Sequence, residues 1–138
     1  MNRSSYTEDP EYNWQYICWR GAVNSAIKGK RGQAFLKELL EALDALPEKK
    51  LIAEELVTPT GEVCAMGAVM VKRGIDASQF DTYNSEKIAQ TMGIADALVR
   101  EIEFINDEAC WQEITPEKRF EIVRGWAANH LKEKEGES

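Results

Sequence analysis

The strongest pattern in the chain is a run of apolar residues at helical spacing. Phe35, Leu36, Leu39, Leu40, Leu43 and Leu46 recur every three or four residues, while Lys37, Glu38, Glu41 and Asp44 fall on the other side. Such spacing places one apolar stripe along a helix, and Pro47 stops it, because proline lacks the N–H that would continue the ladder. A preceding helix is expected from about Trp14 to Ile27, with Trp14, Ile17, Ala22, Val23, Ala26 and Ile27 available for burial. Between the two, Lys28-Gly29-Lys30-Arg31-Gly32 reads as a loop, since two glycines in five residues disfavour a helix.

The segment 51–61 fits either a short strand or a single helical turn, and Pro59-Thr60-Gly61 signals a turn. Val63 to Val71 is apolar on every side and should be the central element that others pack against. Periodicity alone does not separate helix from strand there. Ala65, Gly67 and Ala68 are poor strand formers, so a helix is expected, closed by Gly74 as its C-cap. Ser85 caps a short helix to Met92, ended by Gly93, and a further helix from about Ala95 to Asn106 carries Leu98, Val99, Ile102 and Ile105. Thr115, Pro116 and Glu117 form a strong helix start, followed by a stripe of Phe120, Val123, Trp126, Ala127 and Leu131. The expected fold is all-α: one compact domain over 14–131 of five or six short helices, with room for one minor β-hairpin. Residues 1–13 read as a flexible arm and 132–138 as a disordered charged tail.

Composition narrows the function more by exclusion than by motif. At 138 residues the chain can bury a full core without disulfides or metal. Cys18, Cys64 and Cys110 are far apart and His130 is the only histidine, so no zinc-ligand spacing exists and no metal or cofactor is expected. Cys64 lies in an apolar run and should pack as a small hydrophobe. The thiol pattern fits a reducing cytoplasm. The polar residues 1–13 are no signal peptide, and the nine-residue run 63–71 is far short of a bilayer span.

The net charge of −7 is unevenly spread. From Tyr12 to Lys37 there is no acid, and Arg20, Lys28, Lys30, Arg31 and Lys37 give +5. From Glu101 to Glu121 seven acids face only Lys118 and Arg119, giving −5. The molecule should be electrically lopsided.

Three features suggest chemistry. Ser85 to Ile102 has helix-turn-helix spacing, with Ala89 at the crossing, Gly93 in the turn, and Val99 and Ile102 burying the second helix. Its polar face would be Asp96, Ala97, Arg100, Glu101 and Glu103, which duplex DNA repels, since phosphate neutralisation supplies most of the affinity. The unit therefore reads as packing. The basic group Arg20, Lys28, Lys30, Arg31 and Lys37 is the nucleic-acid candidate, with Trp14, Tyr16 and Trp19 upstream as stacking surfaces. It is not a P-loop. Glu101, Glu103, Asp107, Glu108, Glu117 and Glu121 are the partner-binding candidate, a negative surface for the positive groove of a partner protein. No nucleophile or acid–base signature points to catalysis.

Cys64-Ala65-Met66-Gly67-Ala68, followed by Asn106-Asp107 and a last helix opened by Thr115-Pro116-Glu117, resembles small uncharacterised phage and prophage accessory proteins. These pair a "CAxGA" helix with a later "ND" turn, and Arg31 to Leu36 is similar to the same group. The resemblance implies provenance and no transferable activity. It points to a non-catalytic protein that binds a host protein, such as an inhibitor of host defence, in the host cytoplasm. A nucleic-acid-binding or regulatory module, using 28–32 and the unit 85–105, is the alternative.

Overall fold

The computed structural model describes residues 13–108 and 113–131, with side chains from Ile17 onward. Among the described residues there are six α-helices: α1 (Asn13–Lys28), α2 (Lys30–Asp44), α3 (Ala65–Arg73), α4 (Ser85–Met92), α5 (Asp96–Glu108) and α6 (Pro116–His130). The chain is all-α, with one isolated antiparallel bridge, Val57 to Val63, in place of a hairpin. The expected arm lies outside the described residues apart from Asn13, which opens α1, and the tail 132–138 lies outside them too.

The α2 stripe is buried as its spacing requires. Phe35, Leu36, Leu39, Ala42 and Leu43 are in the core, and Leu40 and Leu46 pack partly against it. The helix ends at Asp44, ahead of Pro47, with Lys49 donating to the Asp44 and Leu46 carbonyls. The break before it is shorter than the glycine count suggests. Gly29 alone interrupts the helices, and Lys30, Arg31 and Gly32 belong to the first turn of α2. Gly32 is there for close approach: a Cβ would overlap the Ala26 carbonyl oxygen of α1. Gly29 makes the break and Gly32 marks a crossing, where a five-residue loop was expected. Ala22 and Ile17 of α1 remain exposed.

α3 begins later than the apolar run, with Val63 extended and Cys64 as N-cap, its Sγ accepting from Gly67 N–H at 3.4 Å. Cys64 is fully buried, so it both packs and caps. Gly74 and Gly93 adopt φ of 75° and 79°, the left-handed geometry that ends α3 and α4. Burial of the run stops at Met70, because Val71 faces outward. Gly67 admits the segment 51–61 rather than another helix: a Cβ would meet the Leu56 carbonyl. That segment is neither strand nor helical turn. It is irregular chain, bent at Ala53, Glu54 and Leu56, and tied by Leu51 N–H to Pro116 O, Ile52 N–H to Val63 O and Cys64 N–H to Leu56 O, with a turn at Thr58–Glu62.

α3 shares the centre with α5, which packs against α1, α3, α4 and α6. The α4–Gly93–α5 unit exists as a packing corner, capped by Asn84 where Ser85 was expected. Ser85 instead donates to Asp96 Oδ1 at 2.5 Å. α5 runs on to Glu108, so Asn106-Asp107 lies within the helix and forms no turn.

Candidate partner-binding site

The basic candidates divide. Lys28, Lys30 and Arg31 gather at the α1–α2 elbow, beside a depression of about 270 Å³ that Ala95, just before α5, also lines. Arg20 lies two turns back on α1 and is committed to Glu101, at 2.6 and 3.2 Å to its two carboxylate oxygens. Lys37 sits about 10 Å further along α2, from the helical rise over seven residues. Trp19 is half-buried with the Arg100 guanidinium 4.0 Å over its ring, so that face is occupied. The side chains of Trp14 and Tyr16 lie outside the described residues.

The elbow is closed by Gln33, whose amide donates to the Ile27 carbonyl at 2.7 Å and the His130 carbonyl at 3.0 Å. It thereby satisfies acceptors at the C-terminal ends of two helices, α1 and α6. His130 bonds the Trp126 carbonyl through Nδ1 at 2.8 Å at the C-terminal end of α6.

The acidic candidates do not form the surface expected from their order in sequence. Glu101 and Glu103 are 4% and 1% exposed. They sit on a helix flanked by four others, which charge patterning alone cannot reveal. The proposed polar face of a DNA-reading helix is lost for the same reason, since Ala97 is buried with them. Asp107 is structural: Oδ1 accepts from Glu54 N–H at 3.1 Å and from Asn106 Nδ2 at 2.7 Å. That contact holds Glu54 at a φ of 67°, unusual for a side-chain-bearing residue. Glu108 is half-buried at the end of α5, while Glu117 and Glu121 are exposed on α6. Glu121 lies 3.5 Å from Lys118.

A different acidic group assembles instead. A depression of about 370 Å³ opens between 47–52, the turn at 60–63 and Pro116. Glu48 and Glu62 line it, with Ile52, Val63 and the two prolines as its apolar floor. Lys50 stands among the acids: Glu48, 3.1 Å away, raises its pKa first, and the charges of Glu117 and Glu62 add to the shift. Glu54 and Glu55 are exposed on the same connecting segment. The C-terminal end of α5 lies beside it and contributes partial negative charge. Glu48 and Glu62 escape the sequence reading because each stands alone between apolar or basic neighbours. Only the turn at 58–62 and the start of α6 bring them to one depression beside Pro116.

Asn106 makes this arrangement possible. Buried to 1% exposure, it accepts from Ala65 N–H at 3.1 Å and donates to the Ile52 carbonyl at 2.9 Å. One side chain thus caps the first turn of α3 and pins the connecting segment, while Arg119 donates to its backbone carbonyl.

Among the described residues no group of three or more His, Cys, Asp or Glu side chains is placed to hold a metal ion. None of the described helices is long and apolar enough to cross a membrane. Compared with known protein families, curated proteins and solved structures, the chain has no match.

Proposed function

We propose that this is a non-catalytic binding protein that docks the basic surface of a partner protein on its acidic end. The observation that carries the reading is one depression with an apolar floor lined by Glu48 and Glu62, next to the α6 start at Pro116, where the charge of Glu117 also acts on Lys50. Exposed carboxylates with apolar surface between them suit a partner that brings Lys or Arg together with a few apolar anchors. The likeness of Cys64–Ala68 to phage and prophage accessory proteins supports a host protein as that partner, with inhibition of host defence as the outcome.

The test uses the parent and a variant carrying Glu48→Lys, Glu62→Lys and Glu117→Lys as baits in a bacterial lysate, with mass spectrometry of what each retains. A protein held by the parent and lost from the variant is expected, and its association should slow as ionic strength rises. Equal capture by both baits would refute the reading.

The elbow supports a second reading, nucleic-acid contact, through three positive side chains beside the uncapped start of α2. Three charges give weak, salt-sensitive binding. Tight binding of a bare oligonucleotide at physiological salt, lost on Lys28→Glu, Lys30→Glu and Arg31→Glu, would promote it over the first.

A further inference from the structure

The connecting segment has a second side. Thr58 N–H bonds Glu62 O at 2.8 Å and Cys64 N–H bonds Leu56 O at 3.1 Å, which makes Val57 and Val63 a non-hydrogen-bonded antiparallel pair. In that register the N–H and C=O of Val57 point away from Val63. The far side of Val63 is already taken by Ile52, whose N–H lies 2.9 Å from the Val63 carbonyl. Residues 56–58 are therefore the outer edge. Among the described residues neither backbone group of Val57 has a hydrogen bond.

Directly beside this edge is a groove of about 390 Å³, with Val57, Pro59, Val71, Ile75 and Ala77 as its apolar lining. Val71 is 54% exposed, an outward valine just past the buried stretch Ala65–Met70 of α3. An open backbone edge next to an exposed apolar floor matches what an added strand requires, since alternate side chains point down while the backbone pairs.

We propose that this groove takes an extended segment of a basic partner protein, paired backbone to backbone with Val57 and seating an apolar side chain on Val71 and Ile75. The inference rests on the acidic-end reading and names how the same partner is held. The charge of the rim selects the occupant. Glu55 is exposed just before the edge, and Asp76 lines the opposite wall, kept ionised by hydrogen bonds from the Ser78 hydroxyl and N–H. The nearby bases, Lys72 and Arg73, are engaged by Glu41 and Glu38. A second copy of this chain would bring the same negative rim against itself, whereas a segment alternating apolar and basic residues meets both the floor and the rim. Pro59 limits the pairing to a short stretch, because it has no N–H to offer. The turn at 58–62 is also the wall between groove and acidic depression, so one partner can reach both.

The experiment titrates the full-length, isotope-labelled protein with a blocked peptide of alternating lysine and valine, followed by amide chemical shifts. Shifts should concentrate at Val57, Thr58, Val71 and Ile75, with slowed exchange of the Val57 amide. Val71→Lys, at an exposed site that leaves the core intact, should weaken binding by at least about tenfold, as should N-methylation of the peptide's pairing amides. Shifts confined to Lys50, Glu62 and Glu117 would overturn the groove and leave the acidic-end reading standing. Groove binding that persists while the Glu48, Glu62 and Glu117 reversal leaves lysate capture unchanged would uphold the groove and sink that reading. Shifts at Val57 and Val71 that follow protein concentration without peptide would assign the groove to a second copy and overturn the proposal. So would no shift at millimolar peptide.

Discussion

At the elbow, helix ends meet directly: α1 stops, α2 starts, and α6 finishes against them through Gln33. At the opposite end, irregular chain lies between α2 and α3, and the surface is made from that chain, the end of α5 and the start of α6. Each end is stitched by one amide side chain, but the two work differently. Gln33 is half-buried and bonds one part-buried carbonyl, of Ile27, and one exposed carbonyl, of His130. Asn106 is buried and holds groups that water cannot replace. The elbow can therefore loosen locally, whereas the acidic end depends on one buried contact set. The difference also explains why charge at the elbow is local in sequence, while charge at the acidic end is assembled from three separate segments.

The largest expected effect removes both ends together. Val69→Asp places a charge in the buried face of α3, between α2 and α5, at a cost of several kcal/mol, roughly comparable with total domain stability. Loss of the helical circular dichroism signal is expected. A variant that melts like the parent would show that α3 is not central.

A smaller effect separates the ends. Asn106→Leu leaves the Ala65 N–H and the Ile52 carbonyl unsatisfied and should cost about 2–3 kcal/mol in urea unfolding. Gln33→Leu, at a site open to solvent, should cost about 1 kcal/mol or less. Equal losses would erase the distinction drawn above.

The smallest effect is that of acid. Arg73 holds the Glu38 carboxyl below its ordinary value of 4.5, and Arg124 likewise lowers that of Asp44, in both cases chiefly through side-chain hydrogen bonds. Both groups bind protons more weakly folded than unfolded, so their contribution is complete above the ordinary carboxylate range. It is lost as pH falls through the folded values. Solvent-screened pairs of this kind contribute less than about 1 kcal/mol each. They brace α2 against α3 and α6, so below about pH 4 amide protection in 51–64 should fall before that at the elbow, whose charged groups are basic. Hydrogen exchange followed over that range would detect the reverse order.

Most helices were legible because their information is local. The leucine stripe of α2, Thr115-Pro116 at the start of α6, and Gly74 and Gly93 at two helix ends act through neighbours three or four residues away. The elbow charges were legible too, since Lys28, Lys30 and Arg31 stay together however the chain folds. Gly32 was misread because a glycine that breaks a helix and one that admits a crossing backbone look alike until the second backbone is present. Glu101 and Glu103 were misread because a carboxylate carries no mark of the helices that will cover it.

The sequence by itself determined the class of fold and the helix ends at Gly74, Gly93 and Thr115-Pro116, set by spacing and by proline and glycine geometry. Only the tertiary structure decided which acids face solvent. It buried two of the six expected, gave Asp107 to the backbone of Glu54, and brought Glu48 and Glu62 to one depression beside Pro116. The physical reason is one of range. Helix formation is governed within a turn or two, whereas a surface is a meeting of distant segments, fixed here by the hydrogen bonds of Asn106 and the close approach at Gly67.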